Sequence, residues 1–148
     1  MSTSERITEP LNGKCLCGKV GITLTGAHRE VDVCHCTMCQ QWTGSMYAGI
    51  ESEGFSVQGE EHISTYDSSD WAERAFCQTC GSSLWFKFKP TGARTFLAGL
   101  FKLTEGLPIK HQIFIDEKPD WYDLVQHSPT KTGAEIIAES KAAGFSFD

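Results

Sequence analysis

Gly13-Lys14-Cys15-Leu16-Cys17-Gly18-Lys19-Val20-Gly21-Ile22-Thr23-Leu24-Thr25 sets two patterns side by side, a C-x-C-G cluster and then a strand-like alternation. Val20, Ile22 and Leu24 alternate with small or polar residues, the period of a strand with one face buried. In extended chain, residues i and i+2 share a face, so Cys15 and Cys17 are placed there as two thiolates for one ion. The same β character recurs outward from this stretch. Val31 and Val33 lead into Cys34, and residues 46–50, 55–58, 62–66, 72–77, 83–87, 95–98 and 110–115 follow at strand length. Gly54, Gly59, Gly81, Gly92 and Gly106 fall between them as turn residues. Helical signal is confined to one turn after Cys36 and to residues 134–143, with Gly144 as a stop. This pattern predicts an all-β fold of small antiparallel sheets with few short helices.

With 148 residues the chain suits one domain with a sizeable core. We expect a flexible lead-in over residues 1–12, a metal-binding unit over 13–123, and a partly helical extension over 124–148 that packs on the domain or moves freely. Net charge is −6, with no block of Lys or Arg, so nucleic acid and anionic membrane are not expected partners. The apolar runs are far too short for a membrane span, and the polar start lacks a signal peptide's apolar region. A cytoplasmic location follows. There, seven cysteines read as metal ligands or buried thiols rather than disulfides, and the odd count agrees.

All seven lie in three clusters: Cys15 and Cys17; Cys34, Cys36 and Cys39; Cys77 and Cys80. The C-x-x-C-G turn at Cys77–Cys80 ends on a glycine, as does the C-x-C-G pair. Two such pairs make a closed tetrahedral four-thiolate site, the usual structural zinc arrangement. Cys34, Cys36 and Cys39 leave one coordination position open, the hallmark of a catalytic zinc. Soft thiolates favour zinc over magnesium or calcium. Competing readings are buried structural thiols, a redox dithiol at Cys77–Cys80, and completion of the second site by His35 or a distant side chain. The strand period turns the His35 ring away from its flanking cysteines, to a place behind them or in the core.

Three clusters in this order, with Gly44-Ser45 after the second, Ser82-Ser83-Leu84 after the third, and His111…Phe114…Pro119-Asp120-Trp121 beyond, resemble the glutathione-dependent formaldehyde-activating enzyme family, which includes the centromere protein V relatives. The resemblance spans residues 11–123. It implies the family's β-tent fold, with Cys15, Cys17, Cys77 and Cys80 on a structural zinc and Cys34, Cys36 and Cys39 on a catalytic zinc, two ions per chain. It also implies a carbon–sulfur lyase that joins formaldehyde, or a related aldehyde, to glutathione as S-hydroxymethylglutathione. The alternatives are a related enzyme using another thiol or carbonyl compound, and a non-enzymatic zinc module that binds a protein.

Further candidates surround the open cluster. Trp42, Thr43, Gly44 and Ser45 follow it directly, Gly44 as a point of close backbone approach. His111 is a candidate base or orienting group, weighed against a structural histidine. Trp121 and Tyr122 suggest an aromatic plug on the core. Glutathione's two carboxylates call for cations, for which Arg74, Arg94, Lys102, Lys19 and Arg29 are the available residues.

Overall fold

The alternation that begins at Val20 becomes one arm of a hairpin. In this computed structural model, which describes residues 5–103 and 106–147, strand β1 (Leu11–Lys14) pairs antiparallel with β2 (Gly21–Ala27). The other edge of β2 takes β5 (Ser52–Gln58). Ile22 and Leu24 are fully buried while the residues between them are not, as period two requires. A second sheet contains β3 (Val31–Cys34), β4 (Tyr47–Ile50), β6 (Ile63–Ser69), β7 (Ala72–Cys77), β8 (Ser83–Phe88), β9 (Ala93–Leu97), β10 (Ile109–Ile113) and β11 (Thr130–Lys131). Their spatial order is β11-β10-β3-β4-β9-β8-β7-β6. The all-β expectation holds.

The core cluster draws on both sheets: Ile22 and Leu24 from β2, Ile50 from β4, Leu84 and Trp85 from β8, Phe96 from β9, with Phe101 beyond. Cys15 and Cys77 belong to the same cluster. The four-cysteine group therefore sits where the two sheets meet. Chain passage there is tight, and Gly59 shows why a glycine is needed. Its φ is 81°, and a Cβ would lie 1.9 Å from the Lys19 carbonyl oxygen.

Several local readings change. Residues 11–14 form a strand, and the preceding backbone is tied down as well, through Arg29 N–H to the Glu5 carbonyl and Ile7 N–H to the Ala27 carbonyl, both 2.8 Å. Residues 1–4 of the expected lead-in lie outside the described residues. Residues 60–62 form a 3-10 turn instead of opening a strand. The turn after Cys36 extends into a two-turn helix, α1 (Thr37–Thr43), ended by Gly44 at φ 89°. Gly44 has nothing near its would-be Cβ, so its role is conformational and not one of close approach.

Within the larger sheet, β3 pairs antiparallel with β4 on one side and parallel with β10 on the other, and β10 in turn pairs parallel with β11. Helix α2 (Gly133–Ala142) follows β11. Thr132 caps it in a reciprocal capping box with Glu135. The chain then crosses to the far side of the sheet, where Phe145 meets Phe88 and Phe147 meets Trp71, ring centroids 5.0 and 5.1 Å apart and nearly perpendicular. Residues 128–147 thus run from one side of the second sheet to the other.

Candidate metal centres

Cys15 and Cys17 lie in the loop of the β1–β2 hairpin, not in extended chain. Gly18, at φ 81°, donates its N–H to the Cys15 carbonyl at 3.1 Å and curls the loop. The strand reading fails because this turn must reverse the chain within six residues. The two thiols nevertheless converge through the curl. Cys77 ends β7 and Cys80 closes the following turn, where Gly81, at φ 79°, donates to the Cys77 carbonyl at 2.8 Å. The Sγ atoms of Cys15, Cys17, Cys77 and Cys80 all lie within 4.8 Å of one another. Cys15 to Cys17 is 3.6 Å and Cys17 to Cys77 is 3.8 Å. A tetrahedron with zinc–sulfur arms of ~2.3 Å has edges of about 3.8 Å, so this donor set fits zinc. Val20 N–H points at Cys15 Sγ (3.3 Å), and Ser82 holds Cys80 Sγ at 3.2 Å. The Ser82 contacts pull the Cys80 thiol down to about 5, toward the thiolate a metal requires.

The second cluster is built by the end of β3 and the start of α1. Cys34 is the last residue of the strand, Cys36 caps the helix, and Cys39 lies in its first turn. The three Sγ atoms also lie within 4.8 Å of one another. Cys36 N–H points at Cys34 Sγ (3.5 Å), and Cys39 N–H at Cys36 Sγ (3.4 Å). The neighbouring thiols of Cys34 and Cys39 hold Cys36 far down, to about 2, while Cys34, which donates to it, is driven far up. A divalent soft cation held here would ionise all three sulfurs.

Arg74, on β7 and only 3% exposed, aims both Nη atoms at Cys39 Sγ from 3.8 Å. Its Nε donates to Ser68, and the guanidinium lies over Trp42 and Phe86, 5.0 and 5.3 Å from their centroids. A buried cation needs a partner, and here the nearest one is the Cys39 sulfur. Three thiolates on one divalent cation would sum to −1, which the guanidinium would neutralise.

His35 is fully buried behind the cluster. Its Nε2 is 2.8 Å from Gln112 Oε1, an atom that only accepts, so Nε2 carries the proton and Nδ1 accepts from the Tyr122 hydroxyl at 2.8 Å. Gln112 Nε2 in turn donates to Ser128 Oγ at 3.0 Å. Tyr122 is thus a support for His35. Trp121 is 69% exposed and plugs nothing; its neighbour's hydroxyl, not its ring, is what reaches inward.

A cavity of about 560 Å³ opens on Cys34, Cys36 and Cys39. Asp32, Glu51 and His111 form a polar corner. Asp32 Oδ1 is buried, 3.3 Å from His111 Nε2, and has no hydrogen-bond partner among the described residues. Burial first, then the Glu51 charge, raises the Asp32 carboxyl to about 7, and burial lowers His111. Glu117 accepts from the Thr37 N–H and hydroxyl, at 2.9 and 2.8 Å, and pins the start of α1. The remaining lining is largely apolar: Trp71 from the β6–β7 turn, Phe86 and Phe88 from β8, and Ile136, Ile137 and Phe147 from the C-terminal segment.

Of the five cations proposed from the sequence, Arg74 alone lines this cavity. Arg94 stacks on Phe55 and Trp85. Lys102 belongs to a separate cleft beside Phe101 and Leu107. The Arg29 N–H binds the Glu5 carbonyl at the chain's start, and Lys19 sits in the β1–β2 loop. Trp42 stacks on Tyr47 and under Arg74, while Thr43 accepts from Ser45 N–H and donates to the Cys39 carbonyl; Trp42, Thr43 and Ser45 thus brace α1 and its exit instead of lining the cavity.

Residues 10–117 match the family described as "Glutathione-dependent formaldehyde-activating enzyme". The chain belongs to that family. A Schizosaccharomyces pombe protein named "Uncharacterized lyase" is 32% identical over 127 residues, covering 84% of this chain and 93% of its own length. A Halomonas elongata protein named "Putative glutathione-dependent formaldehyde-activating enzyme" is 28% identical over 145 residues, covering 89% of this chain and 92% of its own. The crystal structure of a Rhodobacter sphaeroides protein, at 21% identity, superimposes with a TM-score of 0.53 over 68% of this chain and all of its own, a likeness of fold. Two parts of the cavity in this family member escaped the sequence reading. Asp32 had a signal, because it shares a strand face with Cys34. The C-terminal wall had none, because it lies past the matched family segment.

Proposed function

We propose that the chain is a zinc-dependent carbon–sulfur lyase resembling S-(hydroxymethyl)glutathione synthase, working at Cys34, Cys36 and Cys39. The observation that carries this reading is the contrast between the two thiol groups. One offers four sulfurs where the sheets meet; the other offers three beside a cavity large enough for a small adduct. The first is the place for a structural zinc, the second for a catalytic one. When bound, the second ion supplies charge that keeps an incoming thiol ionised and polarises an oxygen.

The reaction joins a thiol and an aldehyde. The sulfur lone pair forms the C–S bond, the carbonyl π pair moves to oxygen, and the thiol proton ends on that oxygen; cleavage reverses each change. The chain's own residues have separable parts in it. Arg74 balances the charge of the sulfurs. The Asp32–His111 corner offers an unmatched acceptor beside an imidazole, suited to a substrate hydroxyl. Apolar walls keep bulk water from the adduct. The relatives' names point to glutathione and formaldehyde. A second reading, another thiol or carbonyl partner, is favoured by the acidic and apolar lining.

The test is zinc content together with exchange of formaldehyde between free and thiol-bound forms, followed by magnetization-transfer NMR. We expect two zinc ions per chain and exchange above the uncatalysed rate. Cys36→Ser should retain the fold and one zinc, and lose the catalysed exchange. Full exchange by that variant with a single zinc would remove the three-cysteine mechanism and leave a non-enzymatic zinc module as the better account.

A further inference from the structure

Residues 130–147 lie outside the family match, yet they supply a wall of the cavity beside Cys34, Cys36 and Cys39. The way they are held identifies them as a built wall. At one end, β11 pairs with β10, Gln112 N–H reaches the Pro129 carbonyl (2.8 Å), and Gly133 N–H reaches Asp116 Oδ1 (2.7 Å). At the other end, Phe145 and Phe147 are seated on Phe88 and Trp71. Between these anchors α2 is mostly exposed and spans roughly 15 Å. It bridges a space instead of filling one, with Ile136 and Ile137 on the cavity.

Phe114 sets the approach. It is the non-glycine residue at positive φ among the described residues (54°), an uncommon state held here by packing. Its ring also lines the cavity, and a Cβ at Gly133 would lie 2.8 Å from it. The start of α2 can come this close only because residue 133 is glycine.

Building on the lyase reading, we propose that this segment selects substrates whose thiol carries an uncharged apolar group, aryl or branched alkyl, against glutathione. Glutathione brings two carboxylates and one ammonium, a net charge of −1. The cavity offers Asp32, Glu51 and Glu117 against Arg74 and His111. Arg74 is already engaged with Cys39 and Ser68, and His111 adjoins Asp32. A carboxylate placed here would lose its water with no free cation among the described lining residues to replace it, whereas an aryl group would bury against Phe86, Ile136 and Phe147. The adduct's hydroxyl would then face the Asp32 corner.

The test measures binding of benzyl mercaptan and of glutathione to the zinc-loaded full chain by calorimetry, alongside formaldehyde exchange with each thiol. Both ligands present the same sulfur, so their ratio reports the pocket. Benzyl mercaptan should bind at least tenfold tighter. Ile136→Arg, which adds a cation to the wall, should shrink that ratio at least tenfold, while Ile136→Leu should preserve it. Glutathione binding as tightly as benzyl mercaptan, or a ratio unmoved by Ile136→Arg in a folded variant, overturns the proposal. An intact binding preference with neither thiol exchanging above the uncatalysed rate supports the pocket assignment and removes the lyase reading instead.

Discussion

Tyr122→Phe tests whether the buried His35 is fixed from behind as the hydrogen bonds indicate. The substitution removes one oxygen and keeps the ring, which packs at 5.8 Å from His35 and under the Lys118 ammonium at 5.1 Å. What is lost is the hydroxyl donor to Nδ1, on a side chain with no exposure to water. An orphaned buried acceptor costs about 1–3 kcal/mol. For a chain of this size that corresponds to a fall in Tm of roughly 3–9 °C. Urea denaturation of the zinc-loaded protein should show a lower midpoint with an unchanged slope, since no additional surface is exposed. The zinc content should stay at its wild-type value. An unaltered midpoint would mean that water or another group satisfies Nδ1, and the deduced tautomer, with its proton on Nε2 toward Gln112, would lose its support.

Cys77→Ser should behave unlike Cys36→Ser: a structural zinc carries about 10–16 kcal/mol of binding free energy coupled to folding, so circular dichroism and proteolysis should report a largely unfolded chain. Arg74→Met should weaken zinc retention at the three-cysteine site by about 10–100-fold in a chelator competition, because the buried thiolates lose their countercharge; unchanged retention would show that the guanidinium is only packing. Gly59→Ala should cost roughly 3 kcal/mol or more in denaturant midpoint, since its Cβ meets the Lys19 carbonyl and φ is positive. Thr132→Ala should cost about 1 kcal/mol, and amide exchange should speed up within α2 while the sheets stay protected.

The sequence was most legible where one local rule decides. Period two in Lys19–Thr25 and around Val31–Val33 located β2 and β3, and the cysteine spacings grouped the thiols that the structure brings together. It was misleading where two local rules compete. C-x-C reads as strand by period, but glycine after it and a hairpin around it make a turn. Trp121 and Tyr122 look equivalent as adjacent aromatics, and only the partner of the Tyr122 hydroxyl separates them. Long-range pairing left no trace. Nothing in Ile109–Ile113 announces a parallel neighbour at Val31–Cys34, because parallel strands lack the turn chemistry that marks a hairpin. The cationic candidates failed for a related reason: which face a charge occupies depends on the neighbouring strand, and Arg74 and Arg94 ended on different surfaces.

The parallel pairing of β3 with β10 also bears on the order in which the protein matures on the ribosome. Cys34 and Cys36 emerge early, but their flanking strand, the His35 partners Gln112 and Tyr122, and the wall at Ile136 and Phe147 are translated much later. Through that interval the nascent thiols have no finished enclosure, whereas the remaining two members of the other group, Cys77 and Cys80, arrive sooner. Metal delivery would therefore proceed in sequence, with the sheet junction clipped first and the three-thiol pocket open to oxidants, chaperones or a competing metal until the chain is nearly complete.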